Sequence, residues 1–362
     1  MNTKRFTLKD VAQEAGVAIS TANAALTGKG RISEKKKQEI LVVAQRLGYK
    51  VNRVAQSLAR KQINIAILMP VDWTDYYGKI EQGIEAELKL LADYNVVGIV
   101  KKIKYSACLP AELEECKKEF LRERIDALIV CPAIGIENLN SLILDFLKED
   151  ILILAVNTDL VIDNQISFPT IKIDGPLSGK MAAEFLDDLL PDGNKVLCCL
   201  GDKKTLVQNE KVIGFMEFIQ QQTKLLALEP IETGDMDDQA EEEIAKVFAR
   251  EPEIRGIYVA TGIVKGICSY LDKNGLGEKV KVICSDYSDE IENYMRKKII
   301  NATFFQNPGI QGRIAIRTIY DCLLNGKDIK PKTLLMPQLF LRSNILHGYV
   351  REDYQQVLYS NE

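Results

Sequence analysis

The sequence predicts a chain of two parts, a small all-α head and a larger α/β body with two lobes. The first 62 residues space their apolar side chains as helices do and contain no strand-like run. From Ile63 onward, short apolar runs alternate with longer amphipathic stretches, which is typical of parallel sheets flanked by helices. The chain has 362 residues. A body of about 280 residues exceeds one comfortable core, so we expect two lobes.

The head should contain three helices and a weaker fourth. Apolar residues recur every three or four positions in 8–15, 21–26 and 40–47. Gly16 separates the first two helices, Ser33 is a plausible N-cap of the third, and Gly48 ends it. The fourth helical stretch covers 52–60.

The body shows a regular alternation of strands and helices. The expected strands are 63–69, 96–100, 127–131, 151–156, 171–174, 196–200, 256–260, 280–286 and 302–306. The expected helices are 78–92, 109–122, 139–149, 177–190, 212–222, 239–249, 262–273 and 309–324. This order predicts parallel sheets covered on both faces, with the division between the lobes near Phe168 and Pro169.

Charge is distributed unevenly along the chain. The net charge is −4, but the segment through Lys61 holds 13 Lys and Arg against 4 Asp and Glu, which leaves −13 for the remainder. A basic end on an acidic body indicates that the head, and not the body, meets a polyanion.

Signals for catalysis, metal binding and membrane insertion are missing from the sequence. It contains no Gly-x-Gly-x-x-Gly after the first strand, no phosphate-binding loop, no Gly-x-Ser-x-Gly and only one histidine. The eight cysteines form no Cys-x-x-Cys pair, and several lie in apolar runs, as buried reduced thiols of a cytosolic protein do. We therefore expect no enzyme activity, no cofactor and no metal. With no signal peptide and no apolar run of about 20 residues, we expect a cytoplasmic location without a membrane partner.

The segment Thr7-Leu-Lys-Asp-Val-Ala-Gln-Glu-Ala-Gly-Val-Ala-Ile-Ser-Thr-Ala-Asn-Ala-Ala-Leu26 has the pattern of a helix-turn-helix. Ala12 allows two helices to pack closely, Gly16 supplies the turn and Val17 fills the core beneath it. The second helix then presents its outer face to a DNA major groove. An ordinary small helical bundle gives a similar pattern, so the motif alone leaves that alternative open.

The linker after the head strengthens the DNA-binding interpretation. The run Asn52-Arg-Val-Ala-Gln-Ser-Leu-Ala-Arg-Lys-Gln62, together with the head, resembles the LacI family of transcription regulators. In that family two hinge helices enter the minor groove side by side, and a leucine wedges between base pairs and kinks the duplex. The resemblance places this wedge at Leu58, with Asn52, Ala55 and Gln56 along the groove. The alternative is a core leucine in an ordinary fourth helix.

The resemblance also implies the residues that contact DNA in the head. They are expected to read bases or hold phosphates, and together with the hinge they form the following set: Thr7, Leu8, Ile19, Ser20, Thr21, Asn23, Ala24, Lys29, Arg31, Ser33, Asn52, Arg53, Ala55, Gln56 and Leu58. Phosphate contacts are expected from Thr7, Thr21, Lys29, Arg31, Ser33 and Arg53, although each is equally compatible with a solvated side chain.

Three positions depart from the family pattern. Ala24 replaces a base-reading arginine, Asn23 replaces a serine, and Val51 replaces the proline before the hinge. The second helix therefore lacks a long donor, and it is expected to read thymine methyl groups through Ile19 or Ala24 and an adenine edge through Asn23. The preferred operator should differ from the family's common one.

Residues 63 to about 345 resemble the periplasmic sugar-binding-protein fold that forms the sensor domain of the LacI family. The loop Pro70-Val-Asp-Trp-Thr-Asp-Tyr-Tyr77 matches a place where that fold stacks aromatic rings on a sugar. Other candidates follow the carboxyl ends of strands, where open parallel sheets bind ligands. The expected effector-binding residues are Asp72, Trp73, Asp75, Tyr76, Tyr77, Asn157, Gln208, Asn209, Lys211, Thr261, Asp286 and Gln306. The alternative is that the aromatic residues only pack the loop and the polar ones cap helices.

The expected domain organisation follows from these patterns. Residues 1–49 form the helix-turn-helix domain, 50–62 the hinge, 63–345 the ligand-sensing and dimerisation domain, and 346–362 a tail. Within the body, one lobe takes 63–169 with 307–335, and the other takes 170–306 with 336–345.

The sequence therefore predicts a ligand-responsive repressor that binds a palindromic operator as a homodimer. Its effector should be a sugar or a related small polar molecule. A secreted sugar-binding protein is the main alternative, and the basic head without a signal peptide argues against it. An enzyme is the second alternative, since many enzymes share alternating α/β folds. Whether the effector acts as an inducer or a corepressor remains open.

Overall fold

The computed structural model describes residues 8–27, 32–47, 62–71, 74–163 and 165–346. These residues form two compact units, a head before Ile63 and a body that takes most of the chain from Ile63 onward. The predicted hinge helix at 52–60 and residues 347–362 of the predicted tail lie outside the described residues. None of the helices in the described part of the chain combines the length and apolar character that crossing a bilayer requires.

The described part of the head contains three helices, which are the first three of the four that the sequence predicts. They are α1 (Leu8–Glu14), α2 (Ile19–Thr27) and α3 (Glu34–Arg46). Gly16 has φ +62°, a left-handed conformation that glycine adopts without steric cost, and it reverses the chain between α1 and α2. The amide of Val17 donates to the Ala12 carbonyl at 2.9 Å, which closes this turn. The buried core joins all three helices through Val11, Ala12, Ala22, Ala25, Ile40 and Ala44.

The body alternates strands and helices along the chain. Its strands are β1 (Ile63–Pro70), β2 (Val96–Ile103), β3 (Ala127–Val130), β4 (Leu152–Val156), β5 (Val161–Ile162), β6 (Ile166–Ser167), β7 (Thr170–Ile173), β8 (Lys195–Leu200), β9 (Leu226–Ala227), β10 (Ile231–Glu232), β11 (Ile254–Val259), β12 (Lys281–Ser285), β13 (Ile300–Phe305), β14 (Lys332–Leu335) and β15 (Gln338–Leu341). Its helices are α4 (Thr74–Leu90), α5 (Pro110–Arg122), α6 (Asn140–Lys148), α7 (Gly175–Leu189), α8 (Leu206–Gln222), α9 (Asp237–Arg250), α10 (Lys265–Lys273), α11 (Asp289–Arg296), α12 (Pro308–Asn325) and α13 (Arg342–Leu346).

Two sheets define the two lobes. The first has the order β2-β1-β3-β4-β7-β14 and is parallel throughout. The second has the order β10-β8-β11-β12-β13-β15, with β9 also paired to β8 and β15 antiparallel to β13. In the first lobe, strands β1, β2, β3, β4 and β7, numbered 1 to 5 along the chain, lie in the order 2-1-3-4-5. Strands β8, β10, β11, β12 and β13 of the second lobe lie in the same order. The direction of the order therefore switches between β1 and β3 in the first lobe and between β8 and β11 in the second. Ligands of such sheets bind outside the carboxyl ends of strands at the switch point.

The division between the lobes differs from the prediction by one strand. Strand β7 begins at Thr170, yet it pairs with β4 and β14 in the first sheet. The chain therefore leaves the first lobe after Ile173 rather than after Pro169. Phe168 and Pro169 precede β7, which belongs to the same sheet as the strands before it. In the sequence pattern, a break between two strands of one sheet looks the same as a change of lobe. Strands β5, β6, β9, β10, β14 and β15 and helices α11 and α13 were not predicted. Strands β14 and β15 are as long as the predicted β3 and β7, but they are largely exposed or half-buried, so no apolar run indicates them.

Glycines permit two close helix crossings, one in each lobe. A Cβ atom at Gly83 of α4 would lie 1.9 Å from the Gly309 carbonyl oxygen of α12. A Cβ atom at Gly179 of α7 would lie 1.9 Å from the Lys211 carbonyl oxygen of α8. Because the obstructing atoms belong to backbone, a side chain at either position would push the helices apart.

Gly83→Ala is therefore predicted to destabilise the body, by about 1–3 kcal/mol, which is typical of overpacking. Gly78→Ala is a matched control in the same helix, since a Cβ there meets nothing within 4 Å. It should instead stabilise by about 0.5–1 kcal/mol, because alanine favours helix more than glycine does. Urea unfolding followed by circular dichroism measures both, and equal effects of the two substitutions would contradict the packing account.

Candidate functional site

A cavity of about 610 Å³ lies in the body between the carboxyl ends of the strands of the two lobes. The first lobe contributes residues of α4, of the loop after β3 and of the end of β4. The second lobe contributes the segments that follow β8, β10, β11, β12 and β13. The cavity is lined by Asp75, Tyr76, Tyr77, Pro132, Ala133, Ile134, Asn157, Thr205, Val207, Gln208, Lys211, Asp235, Ala260, Thr261, Gly262, Ile263, Asp286, Tyr287, Ser288, Asp289, Glu290, Ile291 and Gln306.

Most of the predicted effector-binding residues meet at this cavity. Those that line it are Asp75, Tyr76, Tyr77, Asn157, Gln208, Lys211, Thr261, Asp286 and Gln306. Asn209 does not line it, which corrects the prediction. Gln208 and Lys211 are three residues apart on α8 and share one helix face, whereas Asn209 is turned about 100° from Gln208. Asp72 and Trp73 lie outside the described residues.

Left-handed backbone conformations turn the chain at two of the strand ends. Asn157 after β4 has φ +83°, and Asp286 after β12 has φ +74°. Asparagine and aspartate tolerate this region better than other residues with a side chain. The amide of Asn157 still donates to Ile171 O at 2.9 Å, and that of Asp286 to Phe304 O at 2.8 Å. The strand pairing therefore continues to the residue whose side chain lines the cavity.

Two carboxylates of the second lobe are held by neighbouring side chains. Asp286 Oδ1 accepts a hydrogen bond from Gln306 Nε2 at 2.6 Å. Asp235 accepts from Gln208 Nε2 at 2.9 Å and from Thr261 Oγ1 at 2.7 Å. Burial raises the pKa of the Asp286 carboxyl, although Lys211 and Gln306 oppose the shift. The second lobe thus presents fixed acceptors to the cavity.

Lys211 is a buried ammonium group beneath these carboxylates. Its side chain is 1% exposed, and its Nζ donates to Ala260 O at 3.1 Å and to Ser285 Oγ at 3.2 Å. Burial lowers the pKa of Lys211, while the charges of Asp286 and Asp235 oppose the shift. Among the described residues no carboxylate forms an ion pair with it, so Lys211 and Asp286 interact without a direct bond.

The two tyrosines form the wall of the first lobe. Their rings pack edge to face, with centroids 5.5 Å apart. Tyr76 Oη donates to Asn157 Oδ1 at 2.8 Å, and Tyr77 Oη donates to Pro132 O at 2.9 Å. Burial raises the pKa of both phenols, so they remain neutral donors. Tyr77 is more buried than Tyr76 and serves as packing behind it.

Hydrogen bonds also join the two lobes across the cleft. Lys79 Nζ of α4 donates to Tyr287 O at 2.7 Å and lies 5.1 Å from the centre of the Tyr287 ring. The Val207 amide donates to Thr158 Oγ1 at 3.2 Å. Beside the crossover from β7, Lys172 Nζ bonds Asp159 Oδ2 of the first lobe and Glu210 Oε1 of the second, each at 2.6 Å. The structure therefore shows the lobes in direct contact.

Sequence reasoning missed several lining residues. Asp235 follows β10, a two-residue strand that no periodicity reveals. Asp289 and Glu290 belong to the first turn of α11, whose N-cap is Ser288. The sequence Ser288-Asp-Glu is a helix-start signal that would have located this helix.

The head presents one face of α2 away from its core. Ile19 is 50% exposed, Ser20 is exposed, and Thr21 and Ala24 are half-buried. Leu8 lies at the start of α1 and Asn23 in the middle of α2. Ser33 is exposed before α3, and its Oγ accepts from the Lys36 amide at 3.4 Å, as predicted for an N-cap. The remaining predicted DNA contacts, Thr7, Lys29, Arg31, Asn52, Arg53, Ala55, Gln56 and Leu58, lie outside the described residues.

Two family models match the chain. The bacterial regulatory protein lacI family matches residues 7–52, and the periplasmic binding protein domain matches residues 65–328. The first match covers the predicted helix-turn-helix, and the second covers most of the two lobes. Together they place a regulator-type head and a binding-protein-type body on one chain.

Curated relatives share these features. Residues of this chain are 26% identical to the HTH-type transcriptional regulator pepR1 of Lactobacillus delbrueckii subsp. lactis over 222 residues, 60% of this chain and 62% of that protein. The chain thus spans about three fifths of that relative. It is 26% identical to RegA, an HTH-type transcriptional regulator of Clostridium saccharobutylicum, over 352 residues, 94% of this chain and 99% of that one.

A solved structure shares the fold of the body. It is an ABC transporter solute-binding protein from Agrobacterium vitis bound with α-D-tagatopyranose. The TM-score is 0.68 at 18% identity, over 78% of this chain and 96% of that chain. The likeness confirms the predicted two-lobed α/β architecture.

Replacing Lys211 and Asp286 together is predicted to stabilise the body. Burial opposes the charged form of each group. The double variant Lys211→Met with Asp286→Asn should therefore exceed the native free energy of unfolding at neutral pH by about 1–4 kcal/mol. Each single variant should be less stable than the double, since it leaves one buried charge uncompensated. Urea unfolding of the native chain, the two single variants and the double variant tests this. Additive effects of the two substitutions on the free energy of unfolding would rule out an interaction between Lys211 and Asp286.

Proposed function

This chain belongs to the LacI family, with a lacI-type head joined to a periplasmic binding protein domain, and from that premise we propose that it is a ligand-controlled transcription regulator. The head binds operator DNA, and the cleft of the body binds a small polar effector. The observation that carries the proposal is the occurrence of both parts on one chain: a helix-turn-helix whose second helix exposes its outer face, and a cleft lined by polar strand-end residues.

We assign base reading to the exposed face of α2. Ile19 is a solvent-exposed apolar side chain at the start of this helix, where it can meet a thymine methyl group in the major groove. Ala24 extends this surface, and Asn23 is proposed to read an adenine edge. The excess of basic residues in the head supplies attraction to phosphates, which positions the protein without reading sequence. Phosphate contacts are proposed for Thr7, Thr21, Lys29, Arg31, Ser33 and Arg53.

The hinge residues complete the proposed DNA contact. Two copies of the segment from Asn52 to Leu58 would enter the minor groove together, with Leu58 unstacking a central base step. Unstacking costs a few kcal/mol, which the extra contacts of a bent duplex offset. This arrangement needs a homodimer and a palindromic operator, because a two-fold protein matches a two-fold site.

Control by the effector follows from the interlobe contacts. Ligand in the cleft touches both lobes, so it shifts the equilibrium between their arrangements by the difference in its affinity for each. Such a movement would break the interlobe hydrogen bonds of Lys79, Thr158 and Lys172 and allow these side chains to form others. We propose repression as the output, with a sugar or similar polar molecule as effector; solute-binding proteins of the same fold bind sugars such as α-D-tagatopyranose and D-allose.

A solute-binding protein is the second candidate, and the fold of the body favours it as much as it favours a sensor. The head distinguishes the two, since a solute-binding protein has no use for a helix-turn-helix. RegA, whose match covers 94% of this chain, and pepR1 are both named as HTH-type transcriptional regulators.

Selection from a random duplex library at fixed salt should enrich one palindrome with a central pyrimidine–purine step, because such steps kink most easily. On that palindrome, Ile19→Ser should weaken specific binding about tenfold or more, since a good base contact contributes about 1–3 kcal/mol. Binding to random duplex should change little.

Val42→Ser is the matched control for this substitution. Val42 is also an exposed apolar residue of the head, 62% exposed, but it lies on α3. Its replacement should leave operator affinity unchanged. Equal losses in both variants, or no enriched sequence at any salt concentration, would count against the proposed function.

A further inference from the structure

The charge of the cleft points to a class of effector. Carboxylates that line the cavity are Asp75, Asp235, Asp286, Asp289 and Glu290, and among the described lining residues Lys211 is the cationic one. A cavity with this excess of negative charge favours cations and disfavours anions, because the protein walls screen charges less than water does.

Part of this acidity has a structural explanation. Asp289 and Glu290 belong to the first turn of α11, where carboxylates are stabilised by the helix dipole and the free backbone amides. Asp75, in the first turn of α4, has the same explanation. Asp286 and Asp235 lack it, since Asp286 follows β12 in a left-handed conformation and Asp235 follows β10.

The ammonium of Lys211 is held inside the second lobe. It donates to Ala260 O and Ser285 Oγ, and its side chain is 1% exposed. Lys79 and Lys172 also lie beside the cleft. Lys79 is engaged with the carbonyl and ring of Tyr287, and Lys172 with Asp159 and Glu210. None of these groups is a guanidinium, which would grip a phosphate or carboxylate with two parallel bonds.

An unpartnered acceptor lies in the same wall. Gln306 lines the cavity and is 5% exposed, and its Oε1 has no hydrogen-bond partner among the described residues. Its Nε2 is committed to Asp286. Because this oxygen is itself inaccessible, a ligand in the cavity reaches the pair through the carboxylate of Asp286. An ammonium group has three N–H donors and no acceptor, and it matches that carboxylate.

The aromatic wall is compatible with the same ligand. Tyr76 presents its ring at the cavity while its hydroxyl is held by Asn157. The face of a tyrosine ring attracts cations. Asn157 and Thr261 add polar atoms suited to hydroxyl groups.

We propose that the cleft binds a small polar molecule that carries a primary ammonium group, and that it rejects phosphorylated or carboxylated sugars. This inference rests on the proposed function, since it takes the cleft to be the effector site. Amino sugars and polyamines share the required ammonium chemistry, and they differ in whether hydroxyl groups surround it.

Isothermal titration of the full chain at about pH 6.5, where primary amines are protonated, tests the inference. The probes are D-glucosamine, spermidine, D-glucose and D-glucose 6-phosphate. At least one amine should bind tenfold or more tightly than D-glucose, and D-glucose 6-phosphate should not bind. Preference for D-glucosamine identifies the amino-sugar source, and preference for spermidine identifies the polyamine source.

Asp286→Asn should weaken binding of the preferred amine by tenfold or more, since a hydrogen bond to a charged group contributes about 1.5–3 kcal/mol. Asp75→Asn, an exposed position that tolerates substitution, should weaken it less, by electrostatics alone. Asp238→Asn is the matched control, because this exposed carboxylate of α9 does not line the cavity. It should leave binding unchanged.

The inference is overturned if no amine binds, if D-glucose or its phosphate binds as well as the amines, or if neither cleft variant weakens amine binding. Operator binding is measured separately on the same preparations. A chain that binds its palindrome but no amine would refute this inference alone, whereas a chain that binds an amine but no DNA sequence would refute the proposed regulator.

Discussion

The cleft depends on a constraint of chain topology: in both lobes the strands of the main sheet, apart from β15, are parallel, and their carboxyl ends face the same gap. Within residues 165–346 the chain passes between the lobes three times, after β7, after β13 and after β14. These crossings tie the two sheets together at one edge of the cleft. The strand ends therefore supply the cavity walls, and any movement of one lobe must turn about the three connections.

A buried ion-pair network lies beside the first of these crossings. Lys172 is 2% exposed and joins Asp159 of the first lobe to Glu210 of the second beside the first crossing. Although burial acts against it, the Lys172 hydrogen bond and charge lower the pKa of Asp159. Buried ion pairs add little net stability but are costly to break, so they define one arrangement of the lobes. Lys211 and Asp286 lie in the second lobe without such pairing.

The sequence predicted the cavity residues that lie at the ends of strands. Asn157, Asp286 and Gln306 were found because each directly follows an apolar run, and parallel strands bring such residues to one edge. Asp235 was missed because β10 has two residues and leaves no periodic signal. Asn209 was assigned wrongly because α8 begins at Leu206, well before the predicted start at 212, and only the helical register separates Asn209 from Gln208. The change of lobe after Ile173 depends on strand pairing over long sequence distances, which no local pattern contains.

The central claim is that the cleft and the head are energetically coupled, and reciprocal titration tests it most directly. Operator affinity is measured with and without a saturating cleft ligand, and ligand affinity is measured with and without saturating operator. The account predicts that both affinities change by the same factor, about fivefold or more, since linkage requires the two effects to be equal. Tight binding of both partners with no mutual effect would show that the chain holds two independent sites and would contradict the account.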